Sequence, residues 1–223
     1  MPIYKKINKD FFKKWTKDMS YVLGFLYADG NIIKNKRGAH FISLYSADFD
    51  LLEKMRDAMG SDHKISNRKG LDSNNHSIQI GSKEMYEDLI VLELRQNKTL
   101  RMQLPLIPDK FFSSFLRGYF DGDGNVWVGQ IHKERKTSHL AIRTVFTSCS
   151  KEFLISLNEN IYKLSGQKGS VTKGKGNYYR LTFSIKGSFQ LYEMMYNGVQ
   201  SSLFLNRKKT KFDEYFTDRH MQV

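Results

Sequence analysis

Two aspartates carry the first chemical signal. Asp29 and Asp123 each stand just before the final glycine of an acidic-glycine stop that follows an apolar stretch with one internal glycine, YVLGFLYADGN at residues 21–31 and FLRGYFDGDGN at residues 115–125. If each stretch is a helix, its aspartate sits at the C-terminal end, where the helix dipole is negative and a carboxylate is disfavoured. Two such anions brought together invite a hard divalent cation. Mg²⁺ characteristically takes one or two carboxylates while waters and a substrate phosphate fill its other positions, and the backbone carbonyls of Ala28 and Gly122, beside the acids, are the further candidate ligands. An ion held this way lowers the pKa of an attacking water and stabilises charge on the attacking and leaving oxygens, which is the chemistry of phosphodiester hydrolysis. A plainer reading stands beside it, since Asp-Gly often does no more than turn a chain. A calcium loop starting at Asp121 is excluded, because its sixth position is Val126 rather than glycine and its twelfth is His132 rather than glutamate.

The elements that must position these acids can be read outward from them. Gly24 and Gly118 fall in the middle of the two putative helices, a place that costs roughly 1 kcal/mol in helix propensity. Paired small residues let helix backbones approach closely, so the two motif helices are expected to pack on each other about a pseudo-twofold axis, with Asp29 and Asp123 emerging side by side as one composite metal site. Behind the first motif, IIKNKRGAHFISLYS reads as a hairpin turning at Lys36-Arg37-Gly38. ADFDLLEKMRDAMG follows as a helix capped by Asp48, with Phe49, Leu52, Met55 and Met59 at helical spacing. A second hairpin with a polar tip at residues 70–75 and the helix KEMYEDLIVLEL complete the half. The second half repeats this order: a hairpin with a basic tip at residues 133–138, a helix closed by Gly166, a hairpin turning at residues 174–176, and a closing helix SFQLYEMMYNG. Matching pieces recur in the same order, Ser46-Ala47-Asp48 with Ser148-Cys149-Ser150 and Asn97-Lys98-Thr99 with Lys208-Lys209-Thr210. The interval is far too long for a solenoid repeat. Two of the chain's three prolines, Pro105 and Pro108, mark the joint. The expected division is therefore residues 1–104 and 105–223, with 105–110 as connector.

Composition narrows the partner. Thirty-six Lys and Arg against 23 Asp and Glu leave a formal charge of +13, with a pI near 9.6, which calls for a polyanion. No stretch approaches the roughly twenty apolar residues of a bilayer span, and the N-terminal segment lacks the apolar core of a secretory signal. A soluble, intracellular protein with a nucleic-acid partner and no membrane is the expectation. Cys149 is the single cysteine; it excludes an internal disulfide and a cysteine-rich zinc site and is expected to be buried. The sequence starts at Met1 without a splicing Cys or Ser and does not end in His-Asn, so an intein is not expected.

GFLYADG and GYFDGDG, each opening a half with hairpins behind it, resemble the two signature helices of the LAGLIDADG homing endonucleases, over about residues 11–211. The resemblance implies an α+β fold of two pseudo-twofold-related αββαββα halves, the four antiparallel strands of each forming a saddle on duplex DNA. It implies a monomeric endonuclease in which Asp29 and Asp123 hold Mg²⁺, with Ca²⁺ or Mn²⁺ able to substitute, and in which both strands are cut to leave short 3′ overhangs. The sixth motif position is Tyr27 in one copy and Asp121 in the other, but the family's metal ligand matches the later acid, which both copies keep. A basic residue beyond the second hairpin of each half organises water around the scissile phosphate in this family. Lys98 and Lys209 match it best, with Lys208 a rival to Lys209.

Positive charge crowds the hairpins at Lys34, Lys36, Arg37, Arg68 and Lys69, and at Lys133, Arg135, Lys136, Arg143, Lys173, Lys175 and Arg180, as phosphate contacts require. Candidate base readers are Asn35, His40, Gln79, Gln130, His132 and Arg143, because strand alternation sends one side-chain set to the major groove. Trp127, Tyr178 and Tyr179 divide between core and DNA. The alternatives are a binding protein on the same scaffold, either an RNA maturase or a non-cleaving DNA-binding regulator, and an unrelated α+β RNA-binding protein that would prefer single strands.

Overall fold

A computed structural model describes residues 5–67, 75–132 and 138–220. It contains seven helices and two four-stranded antiparallel sheets among those residues. The first motif is α1 (Lys17–Asp29), whose N-cap Thr16 accepts from the Met19 amide at 3.0 Å. Every residue from Met19 to Tyr27 is buried, as expected of a helix that is apolar all round rather than along one stripe. It runs without a loop into β1 (Gly30–Lys34), so Asp29 stands at the junction itself. Gly30 is required there, since a Cβ would lie 2.6 Å from Leu26 Cα and 2.7 Å from its carbonyl oxygen. The hairpin closes with β2 (His40–Ser46) around the expected turn, where Gly38 takes φ +81° and the Asn35 side chain accepts from the amides of Arg37 and Ala39.

Next come α2 (Phe49–Ala58), β3 (Ile65–Asn67), β4 (His76–Gly81) and α3 (Lys83–Val91), with strand order β1-β2-β4-β3. Ile32, Ile42, Leu44, Ile78 and Ile80 alternate onto one sheet face and are fully buried with Leu52, Met55, Met85 and Leu89 of the helices. Phe49 departs from its expected place in that core. It is 39% exposed and meets the His76 ring edge-on at 5.3 Å. Asp48 holds the N-cap position of α2 without a side-chain capping bond, while the Ser46 hydroxyl takes the Asp48 amide at 3.0 Å.

The second motif is α4 (Asp109–Asp123), which likewise runs straight into β5 (Gly124–Ile131). Then follow β6 (His139–Ser148), α5 (Lys151–Ser165), β7 (Ser170–Lys173), β8 (Tyr179–Phe183) and α6 (Ile185–Tyr196), with strand order β5-β6-β8-β7. Each half is thus αββαββα with one four-stranded antiparallel sheet. Register repeats with topology: Gly30 pairs Leu44 as Gly124 pairs Phe146, and Leu44 pairs Ile78 as Phe146 pairs Leu181. The Ser148 hydroxyl takes the Ser150 amide at 3.1 Å, as Ser46 does that of Asp48. Cys149, between them, is half-buried rather than buried.

A seventh helix, α7 (Asn206–His220), was not expected from the sequence. Its composition is strongly polar, and its buried residues Lys208, Phe212, Tyr215 and Phe216 form a narrow stripe at helical spacing. The chain divides into two compact units, Met1–Gly122 with Gln200–Phe204, and Asp123–Val199 with Leu205–Val223. The connector at Pro105 and Pro108 precedes α4, yet most of α4 belongs to the first unit because it packs on α1. No helix among the described residues is long and apolar enough to cross a membrane.

Candidate active site and nucleic-acid interface

Contact between α1 and α4 is backbone against backbone. A Cβ at Gly24 would lie 2.1 Å from the Phe115 carbonyl oxygen, and one at Gly118 would lie 2.0 Å from that of Tyr21. Both internal glycines are therefore obligatory at this approach. Around it, Ser20 Oγ donates to the Phe111 carbonyl at 2.8 Å, Tyr27 meets Phe115 edge-on at 5.4 Å, and Arg117, only 1% exposed, donates to the Leu203 carbonyl at 3.0 Å. The sixth motif position is structural in both copies. Tyr27 donates to the Leu92 carbonyl at 2.8 Å, its phenol pushed up by burial, and Asp121 accepts from Tyr21 Oη at 2.6 Å in the core. Asp29, by contrast, is exposed at the end of α1, and Asp123 is half-exposed at the end of α4. The later acid of each motif is the one that reaches solvent.

Gly122 keeps the space beside Asp29 open, since a Cβ there would lie 2.3 Å from Ala28 Cβ and 3.3 Å from Asp29 Oδ2. Lys98 Nζ donates to the carbonyls on either side of Asp29, to Gly30 at 2.5 Å and Ala28 at 3.3 Å. This places a cation against carbonyls that carry the negative end of the helix dipole. Asn97, with φ 53°, makes the left-handed turn that delivers Lys98, a conformation asparagine tolerates. In the second half, the corresponding bond comes from Lys208: its Nζ donates to the Gly124 carbonyl at 2.7 Å, and the residue is 7% exposed. Lys209 points elsewhere, bonding both oxygens of Asp213 at 2.9 and 2.7 Å beside Tyr192 and Tyr196. Asp213 also accepts from Tyr192, whose phenol burial and that bond push up to about 12. Lys208, not Lys209, is the structural counterpart of Lys98.

The donors at the two junctions are carboxylate and carbonyl oxygens, which suit a hard ion such as Mg²⁺. Among the described residues no three or more His, Cys, Asp or Glu side chains group to hold a metal.

Burial parity sorts the interface residues. On the first sheet the face opposite Ile32 and Ile42 carries Asn31, Ile33, Phe41, Ser43, Tyr45, Ser77 and Gln79. Gln79 is exposed there and donates to Ser43 Oγ at 3.4 Å. Of the other expected base readers in this half, Asn35 is engaged in its own turn, and the His40 ring packs on Tyr86 of α3 at 4.7 Å. Lys34, Lys36 and Arg37 are exposed at the hairpin end. On the second sheet the face opposite Val126 and Ile142 carries Asn125, Trp127, Arg143, Val145, Thr147, Arg180 and Thr182. Gln130 has the parity of Val126 and pairs with Leu140, while His132, at φ 56°, lies 5.9 Å from the His139 ring. Arg180 donates to Tyr178 Oη at 3.0 Å; Lys173 and Lys175 are exposed about the same turn. Arg68, Lys69, Lys133, Arg135 and Lys136 lie outside the described residues. Asn31, Tyr45, Ser77 and Asn125 are further residues of these open faces; each stands an odd number of positions from a buried isoleucine or valine on its own strand, and that parity finds them, whereas Ser43, on the same face, is buried.

No family model matches the sequence. Among curated proteins, the uncharacterised protein MJ0398 of Methanocaldococcus jannaschii is 25% identical over 218 residues, 91% of this chain and 73% of that one. DNA-directed RNA polymerase subunit Rpo1C of the same organism is 31% identical over 114 residues, which is 49% of this chain but 13% of the subunit. Among solved structures, the I-LtrWI LAGLIDADG homing endonuclease bound to target DNA has a TM-score of 0.62 at 15% identity, covering 96% of this chain and 92% of that one. The I-SmaMI LAGLIDADG homing endonuclease bound to cleaved DNA has 0.60 at 16%, covering 94% and 90%. Mesophilic variants of the homing endonuclease I-DmoI have 0.57 at 15%, covering 82% and 97%.

Proposed function

We propose that this chain, which has the fold of the LAGLIDADG homing endonucleases, is a site-specific, divalent-metal-dependent endonuclease that hydrolyses both strands of a long duplex DNA target. In this reading it acts as a monomer, leaves short 3′ overhangs, and takes one carboxylate from each half. The observation that carries the reading is the repeated junction: a motif helix that runs directly into a strand, ends in a solvent-reaching aspartate, and has a lysine hydrogen-bonded to the junction carbonyl. Asp29 and Asp123, with the carbonyl oxygens of Ala28 and Gly122, are the groups that would hold Mg²⁺, and Ca²⁺ or Mn²⁺ fits the same donors. Such an ion supplies a lowered water pKa and stabilisation of charge on the phosphate oxygens.

Lys98 and Lys208 keep an ammonium beside each junction, where it attracts the phosphate and orients water on it. Lys208 takes this role in place of Lys209. The open sheet faces, lined by Gln79 and Asn31 in one half and by Arg143, Arg180 and Asn125 in the other, are the groove-reading surfaces, and the basic hairpin ends neutralise phosphates. A maturase or a DNA-binding regulator on the same fold would have no use for two solvent-reaching acids beside a polyanion. The test is linearisation of a plasmid library carrying randomised inserts, with Mg²⁺ against EDTA. Mg²⁺-dependent linear product whose ends share one long sequence supports the nuclease; retention of such plasmids without cutting in either condition favours the regulator.

A further inference from the structure

At one register position the two open sheet faces differ in chemical character. In the second half Trp127 pairs with Arg143 across β5 and β6, and the guanidinium carbon lies 5.6 Å from the indole centroid. Trp127 is 39% exposed, and Arg143 is exposed. Gly129, two residues along the same strand face, explains why the ring lies down on the sheet: a Cβ there would lie 2.5 Å from Trp127 Cζ2 and 3.0 Å from Cη2. The indole is thus a flat plate resting over a glycine, and Arg143 is held against it by the ring quadrupole. A long cationic side chain ordered before contact loses less rotamer freedom when it binds. Because Gly30 pairs Leu44 as Gly124 pairs Phe146, the same position in the first half is Ile33 opposite Phe41. That pair is apolar and half-buried.

We infer that Arg143, positioned by Trp127, reads a guanine in the half-site gripped by β5 and β6, and that the Ile33–Phe41 pair meets a thymine methyl at the corresponding place in the other half-site. The chemistry is complementary in each case. A planar fork of donors matches guanine O6 and N7, whereas an apolar edge has nothing to offer but contact with the C5-methyl of thymine. The target would then be asymmetric at this pair of positions although the fold is repeated. The inference rests on the duplex-reading function proposed above and adds the bases read.

The test is selection of bound duplexes from a randomised library in EDTA, which prevents cutting, using wild type, Arg143→Ala, Arg143→Lys, Trp127→Ala, Trp127→Phe and Phe41→Ala. Wild type is expected to recover a site with a guanine that Arg143→Ala ceases to prefer, by about tenfold or more, with the other positions unchanged. Arg143→Lys loses the same preference because it lacks the fork. Trp127→Ala weakens that one preference while Trp127→Phe, which keeps an aromatic plate, retains it; a merely structural tryptophan would lower affinity for every sequence alike. Phe41→Ala relaxes a thymine in the opposite half-site. An unchanged base profile for Arg143→Ala, or an equal loss across all sequences as for a phosphate contact, overturns the inference while leaving the duplex-binding reading intact. Preference for single strands over duplex overturns both.

Discussion

Replacing Gly24 with alanine tests the backbone contact on which the whole placement of the motif acids depends. The added methyl would start 2.1 Å from the Phe115 carbonyl oxygen and 2.9 Å from both Phe115 C and Tyr119 N. Ordinary contact begins near 3.4 Å, so α1 and α4 must part by roughly 1 Å or more. All three blocking atoms belong to backbone, and no rotamer change relieves them. Overpacking typically costs about 1–3 kcal/mol, and a rigid obstacle puts this case near the top of that range. Alanine returns about 1 kcal/mol through its higher helix propensity, leaving a net loss of about 2 kcal/mol. For a chain of this size that lowers Tm by roughly 4–8 °C. Thermal unfolding followed by circular dichroism reads it directly. Gly118→Ala, whose methyl would lie 2.0 Å from the Tyr21 carbonyl oxygen, should behave alike, and the double variant should cost less than the two singles together, because helices parted for one methyl have made room for the other. An unchanged or raised Tm for Gly24→Ala would mean that propensity prevails and that the close approach does not exist.

Three further outcomes follow from named contacts. Lys208→Met should slow cleavage by about a hundredfold or more, whereas Lys209→Met should leave the rate within a few-fold and cost only about 0.5 kcal/mol from a part-exposed pair with Asp213; single-turnover cleavage and denaturant melts separate the two, and equal rate losses would remove the distinction. Tyr21→Phe deletes a buried hydrogen bond to the Asp121 carboxylate and should destabilise by about 1.5–3 kcal/mol in urea unfolding; a neutral result would mean the bond contributes nothing. His63 is held below its ordinary value of 6.5, chiefly by burial, with Lys5 adding to the effect and Asp62 opposing it. Its folded form favours the neutral ring, so its contribution is fully present above about pH 6.5 and declines as pH falls from there towards the folded value. His63→Asn should flatten that part of the stability profile, and an identical profile would assign the slope elsewhere.

Element order was legible because the periodicities were clean. The β-branched and aromatic runs around Gly38, and the Ser46 and Ser148 turns, sit where the alternation put them. What stayed hidden has physical causes. α7 is polar enough to read as a tail, and only the stripe through Lys208, Phe212, Tyr215 and Phe216 betrays it. The identity of Lys98-Thr99 with Lys209-Thr210 favoured Lys209, but hydrogen bonding follows helical register rather than residue identity, and that register turns Lys208 towards Gly124. Residue type points to Asn35, His40 and Gln130, but strand parity and turn geometry decide which way a side chain faces, and on the two sheets it is Asn31 and Asn125 that have the parity of the open face. The position of the two aspartates was the most readable part: a helix that ends in Asp-Gly and becomes a strand at once leaves its aspartate at the junction, and with Asp121 buried on Tyr21 it is Asp123 that reaches solvent in the second copy.

The most direct measurement is strand-resolved cleavage of the selected duplex in Mg²⁺ by wild type, Asp29→Asn and Asp123→Asn, with affinity for the same duplex measured in EDTA. Wild type is expected to break both strands, while each variant loses double-strand cleavage and keeps its affinity. Undiminished double-strand cleavage by either variant would contradict the assignment of these two carboxylates to the chemistry.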